Sequence, residues 1–315
     1  MTTNEKLAAI LAAVQTDPGN RGLARDPHDN LFTACPGDFV AACRSIAEHK
    51  KACPAIVTGF YIPSAEPPAN ETDGPLGSLF LARALAALDC PSLLVTDHVL
   101  GDVFGATLSR LEHVAGITPL NIPPRNFPWH TWLAVDWKQT RERWPLSHLI
   151  SIECIGPSWR DARCRSMRGF DITDHTPPAH FLFDANIGPR DHLPTIGMGD
   201  GGNEIGMGRV PWDLIARNIT NGDQIACRVP TDHLIVAGVS NWGAYALAAG
   251  IYVLRGVKPA PDLFDPDRER EILEVMVREG PLVDGVTGKQ TATVDGLTWE
   301  EYVKPLIRIR KILES

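Results

Sequence analysis

The chain of 315 residues has no apolar run long enough to cross a bilayer, no Cys-x-x-Cys pair and no excess of positive charge. Each absence removes a class of function. A spanning helix needs about 20 consecutive apolar residues, so no membrane role is expected. The formal net charge of −8 argues against a nucleic-acid partner, because phosphate binding needs a positive surface. The seven cysteines, an odd number without pairing spacing, read as reduced and mostly buried thiols of a cytoplasmic protein. The first residues lack a basic segment followed by an apolar one, so no secretory signal is expected.

Several familiar motifs are also missing. No His-Glu-x-x-His occurs, and the ten histidines do not cluster at zinc spacing. Gly288-Lys289 resembles a phosphate-loop ending, but Val283 stands where the first glycine belongs and Gln290 replaces Ser or Thr. Gly238-Val-Ser240-Asn-Trp242 fails as a nucleophile elbow, since Trp242 takes the last glycine position. Gly197, Gly199 and Gly202 do fit G-x-G-x-x-G. Asp200, however, lies where a pyrophosphate would press, so no nucleotide cofactor is expected.

What is present begins with a glycine-rich block. Six glycines fall between Gly197 and Gly208, with Asp200, Asn203 and Glu204 among them. Glycine lets the backbone turn sharply and approach a ligand closely. Carboxylates inside such a turn would repel a phosphate, so the block reads as holding a cation or handling protons on a small polar substrate.

Elsewhere helix-like and strand-like patterns alternate. Helices are expected over 4–15 (capped by Thr3 or Asn4), 39–51, 79–88, 103–114, 209–219, 241–254, 266–278 and 299–313. Strands are expected over 55–60, 92–96, 116–122, 149–153, 224–229 and 234–238. This rhythm predicts an α/β fold: a mostly parallel sheet with helices on both faces, three-layered and Rossmann-like in topology. No composition shift marks a boundary. Residues 1–315 therefore read as a single α/β domain, with 1–54 as an N-terminal helical segment packed on it. Sequence leaves room for a homo-oligomer.

In such sheets function gathers at the carboxyl ends of strands. Four loops there are rich in chemistry. The first carries Glu71-Thr72-Asp73-Gly74-Pro75, which also reads as a plain turn. The second runs from Glu153 through Arg160, Arg163, Arg165 and Arg168, either a solvated cationic loop or a bidentate clamp for a carboxylate. The third is the glycine block, with Gly201 and Gly202 at its bend. The fourth contains Asp232, His233, Ser240, Asn241 and Trp242. His233 is either a structural histidine or a base, and Trp242 either core or a stacking surface. Ser240 and Asn241 most simply cap the following helix, whose free N–H groups could also hold an anion. Asn20-Arg21-Gly22 either lines the site or merely turns the chain.

Together these blocks resemble the D-glutamate cyclase family. The resemblance rests on Glu71-Thr-Asp-Gly-Pro75, on Glu153 with its arginine loop, and on Gly199-Asp-Gly-Gly-Asn-Glu-Ile-Gly-Met-Gly208. Ala237-Gly-Val-Ser-Asn-Trp-Gly-Ala-Tyr-Ala-Leu247 completes it. One departure is Cys154, where family members often carry arginine. A carboxylate clamp then falls to Arg160, Arg163 or Arg168. The resemblance implies a hydro-lyase that converts D-glutamate to 5-oxo-D-proline and water, a small amino-acid substrate, and dependence on Mg²⁺ or Mn²⁺. The expected assignment gives Asp200 and Glu204 to metal or proton handling, with Glu71 and Asp73 completing an acidic metal cluster. Asn203 orients substrate, Arg168 binds a carboxylate, and Asp232 or His233 is the reserve acid–base group. A metal-dependent hydrolase or phosphatase and a non-catalytic amino-acid-binding module are the alternatives.

Overall fold

The structure is a computed structural model that describes residues 1–112, 114–184 and 192–315. The strands are β1 (Pro54–Gly59), β2 (Tyr61–Ile62), β3 (Ala69–Asn70), β4 (Ser92–Thr96), β5 (Ile117–Asn121), β6 (His148–Cys154), β7 (Thr195–Gly199) and β8 (His233–Val236). Six of them form one parallel sheet ordered β5-β4-β1-β6-β7-β8, while β2 and β3 pair as a small antiparallel ribbon. Counted along the chain within the large sheet, that order is 3-2-1-4-5-6, the Rossmann arrangement.

Successive strand residues point to opposite faces, and both faces are covered. Ile56, Leu94, Ile150, Ile196 and Ile235 enter one core with helices Thr3–Val14, Asp38–Ala47, Pro75–Ala86, Ser240–Arg255 and Pro266–Glu279. Ala55, Val57, Leu93, Val95, Leu234 and Val236 enter the other, with Trp129, Trp132, Trp137 and helix Trp212–Asn218. Burying each large aliphatic side chain contributes about 1.5–3 kcal/mol, which is why these strands read as unbroken apolar runs. All seven cysteines are free and six are buried.

Some expectations need correction. The first helix is capped by Thr2, whose hydroxyl accepts from Glu5 N–H while the Glu5 side chain returns the bond. Residues 224–229 do not form a strand. Gly222–Ile225 is a helical turn, and the backbone beyond it pairs with loops, Cys227 N–H to Gly202 and Arg228 N–H to Pro157. The closing helix is split into Trp299–Tyr302 and Lys304–Glu314, because Pro305 lacks the N–H that would continue the ladder. Helical turns Trp129–Trp132, Leu133–Trp137 and Lys138–Arg143 fill a stretch with no clear apolar period.

Candidate active site

The glycine block is a turn built around one carboxylate. β7 ends at Gly199, and Glu204 folds back so that Oε1 accepts the N–H of Asp200 (3.0 Å) and Gly201 (2.6 Å), and Oε2 that of Gly202 (2.7 Å). Gly202 has φ near +97°, and a Cβ on Gly201 would sit 2.4 Å from Met167 Sδ. Glu204 is therefore held by backbone donors inside the turn, while Asp200 is presented to the cavity. Asn203 donates from Nδ2 to Arg165 O at 2.9 Å, and its buried Oδ1 has no partner.

Glu153 sits at the switch between β1 and β6, where ligands bind in such sheets. The β1–β6 register slips there, Thr58 facing Ile152 and Gly59 facing Cys154, so Glu153 is the bulged residue, with φ of 45°. A left-handed non-glycine residue is strained, and such strain persists where surroundings over-determine it. Glu153 Oε2 accepts from Ser240 Oγ at 2.5 Å. Gly74, with φ near +90°, leaves it room, since a Cβ there would meet Glu153 Cβ at 2.7 Å.

Asp73 caps a helix from another part of the chain. Its oxygens accept the N–H of Ser240 (2.9 Å) and Asn241 (2.8 Å), at the start of Ser240–Arg255. Asn241 Oδ1 in turn accepts from Gly74 N–H (2.8 Å) and Gly77 N–H (2.7 Å). Two expectations change. Ser240 and Asn241 do not cap their own helix, and the N–H groups there are occupied by Asp73 rather than open to a substrate anion. Thr72 is structural in its contacts, its Oγ1 donating to Thr293 O at 2.7 Å.

Arg21 brings positive charge. It forms ion pairs with Asp200 and, at 2.7 Å, with Asp295. Asp17 fixes the segment by accepting the N–H of Arg21, Gly22 and Leu23. Asp295 escaped the sequence reading, because its loop looks like an ordinary run of turns. The buried Asp284 organises that loop, accepting from Val286 and Thr287 N–H, Thr293 Oγ1 and Gly296 N–H. Against it lies Glu71, whose Oε2 would be 1.5 Å from a Cβ on Gly285.

These groups enclose a cavity of about 370 Å³, lined by Arg21, Glu71, Glu153, Asp200 and Asp295, with Arg168 exposed at its mouth. That is a size for a small ligand. Of the four loop arginines, Arg160 pairs with Asp223, Arg163 with Asp171 and Arg165 with Asp161. Arg168 makes no ion pair among the described residues. Three expected residues lie elsewhere. Asp232 accepts from Thr195 N–H (2.8 Å) and pairs with His192, and His233 opens β8. Both therefore lie at the amino ends of the strands, about 13–17 Å along β7 from Asp200 at 3.3 Å per residue. Trp242 is buried in the core and 2% exposed.

Crowding of buried acids shifts their protonation. Burial, then mutual repulsion, holds Glu71, Asp73 and Glu153 well above the usual carboxylate range. Burial pushes Asp200 up to about 6 and Asp295 to about 7, with Arg21 opposing both rises. Burial works against the Arg21 charge, but Asp200, Asp295, Glu153 and Asp73 outweigh it. Among the described residues, oxygens of Asp73, Glu153 and Asp200 lie within 4.8 Å of one another. Asp200 Oδ2 is buried and faces the Arg21 guanidinium, so Arg21 and a bound ion would share this carboxylate. Three hard oxygen donors suit Mg²⁺ or Mn²⁺ better than Zn²⁺. The set differs from the expected one: Glu153 replaces Glu204, which is spent on its own turn, and Glu71, which faces the 285 loop.

A Rossmann-ordered sheet with buried carboxyls at its switch point defines a doubly wound α/β protein with a cavity of small-ligand size there. The family described as D-glutamate cyclase-like, C-terminal, matches residues 10–310, and the chain belongs to it. The human protein named "D-glutamate cyclase, mitochondrial" is 30% identical over 261 residues, 81% of this chain and 40% of the human one. The chain thus spans less than half the length of that relative. No helix among the described residues is long and apolar enough to cross a membrane.

Proposed function

We propose that this protein cyclises D-glutamate to 5-oxo-D-proline with release of water. The observation that carries the reading is the enclosure, in one small cavity, of proton-holding carboxyls beside Arg21, with Arg168 at the mouth. In the reaction the amine nitrogen bonds to the γ-carboxyl carbon and one γ-oxygen departs. Two protons leave the ammonium and end on that oxygen as water, so a proton acceptor and a proton donor must face the same substrate. Asp200, poised near 6, suits the acceptor. Glu71, held protonated by burial and outside the oxygen triad, suits the donor. Arg168 anchors a substrate carboxylate. A small cavity also favours the folded-back shape that ring closure needs, and intramolecular reactions gain much of their rate that way.

A divalent ion would be held by Asp73, Glu153 and Asp200 and would offset negative charge on the γ-carboxylate. A cytoplasmic, reducing setting agrees with seven unpaired thiols. The test is incubation with D- and L-glutamate, each with Mn²⁺ or with chelator, following loss of primary amine and appearance of the lactam. Consumption of the D isomer supports the reading. No product under any of these conditions removes it.

A further inference from the structure

Asp295 stands at the tip of a two-residue turn. Val294 and Leu297 pair across it, and Asp295 and Gly296 both have positive φ, 56° and 71°. Asp-Gly is the sequence that such a tight turn favours. Asp284 accepts the Gly296 N–H at 2.8 Å, and Thr72 Oγ1 donates to Thr293 O at 2.7 Å, so the tip is fixed from both sides. The Asp295 side chain is 6% exposed and lines the cavity. Its Oδ1 meets Arg21 at 2.7 Å. Its Oδ2 is buried and has no hydrogen-bond partner among the described residues. A buried acceptor left without a donor is costly, so a donor belongs there when the cavity is filled. The other lining acids are placed differently. Glu153 and Asp200 belong to the oxygen triad, and Glu71 is turned to Gly285.

A second turn offers the opposite chemistry. Ser166 N–H donates to Phe170 O (3.0 Å) and Gly169 N–H to Ser166 O (2.8 Å). Arg165 Nη1 donates to Gly169 O at 2.9 Å, and Asn221 Nδ2 to Met167 O at 3.2 Å. The turn so held places Arg168 at the mouth and Ser166 in the cavity wall. Ser166 Oγ is buried and, like Asp295 Oδ2, has no hydrogen-bond partner among the described residues. An ammonium only donates and a carboxylate only accepts, so the two turns sort a ligand by its charged ends.

We propose that Asp295 Oδ2 seats the amino group of the ligand while Ser166 and Arg168 receive its α-carboxylate, so that the cavity selects α-amino acids over plain dicarboxylates. This deepens the cyclase reading and rests on it. Arg21 holds Asp295 and Asp200 on one guanidinium. An amine seated on Asp295 therefore stands beside the carboxyl assigned to take its proton.

The test is calorimetric titration of the protein at pH 8 with two partial ligands. Glutarate lacks the amine of D-glutamate, and 4-aminobutyrate lacks its α-carboxylate. Asp295→Asn keeps the shape and an acceptor for Arg21 but removes the charge. It should weaken 4-aminobutyrate by about 10–100-fold, the size of losing a hydrogen bond to a charged group, and leave glutarate within about twofold. Arg168→Gln should do the reverse, and Ser166→Ala should follow it with a smaller loss of about threefold to tenfold. Asp295→Ser also removes the carboxylate and replaces Asp295→Asn if that variant does not fold. Equal weakening of both ligands in the Asp295 variant, or of neither, would overturn the proposal. So would a parent protein that binds neither. If the parent binds both ligands yet forms no lactam from D-glutamate, the reaction assignment fails on its own and the crossed pattern still decides this inference.

Discussion

Arg21 carries the positive charge against which five buried carboxyls are set, and its side chain is only 15% exposed. Replacing it by glutamine leaves Asp200 and Asp295 without their cation. Breaking a buried pair in this way costs about 3–5 kcal/mol. The loss should be larger at pH 8 than at pH 6, because acid lets the two carboxyls take up protons instead; chemical denaturation at both pH values measures it. An equal loss at both would mean that Arg21 serves packing alone. Asp200→Asn removes the acceptor with little change of shape. It should lower turnover by about 10²–10⁴-fold while the protein stays folded by circular dichroism. Near-normal turnover would take Asp200 out of the mechanism.

At the scale of elements, the site is the meeting of loops that each need a special backbone. The 283–296 loop is one of them, and it presses on Glu71 through Gly285. Gly285→Ala puts a methyl where the Glu71 carboxyl lies, so that side chain must turn away. Turnover should fall by at least about tenfold, of the order seen when a group supporting a site is displaced. The six-stranded sheet should keep its protection from hydrogen exchange. Full activity would show that the Glu71 position is dispensable. The strained Glu153 is held in the same spirit: the bulge in β6 turns its carboxyl toward Ser240 and the cavity, a direction that a regular strand would deny it.

For the whole molecule, buried acids dominate the response to pH. Glu71, Asp73, Glu153, Asp200, Asp295 and Glu269 are all raised, chiefly by burial. Unfolded, they release their protons near pH 4. Between there and their folded values the native chain binds more protons, so stability falls as pH rises through 6 and 7. His148 and His180, lowered to about 4 by burial, pull the other way, but they are two groups against six. The metal-free protein should therefore melt several degrees higher at pH 5.5 than at pH 8, for about 1 kcal/mol moves the midpoint of a chain this size by about 2–4 °C. Scanning calorimetry with chelator checks this, and a reversed order would mean that the carboxyls are not crowded as described. Mn²⁺ should raise the melting temperature at pH 8 far more than at pH 5.5, since ligand carboxylates must be deprotonated. Asp200→Asn should erase that rise; an equal rise in the variant would place the ion elsewhere.

Sequence by itself determined the layers and the rim. Apolar runs such as Ser92–Thr96 could only be buried strands, and helices between them forced a parallel sheet with its loops gathered at one edge. It also marked Glu71, Asp73, Glu153 and Asp200, because acids recur in the loops at the carboxyl ends of strands, where ligands bind in such sheets. Tertiary structure alone decided which acids remain free. Glu204 and Asp200 look alike in sequence, yet one is surrounded by backbone N–H groups and the other faces a cation from residue 21. Asp232 and His233 shared the same chemistry but fell at the wrong end of a strand. A side chain's role depends on which donors reach it through space, and pairings such as Arg21 with Asp295 span nearly the whole chain, beyond the reach of any local pattern.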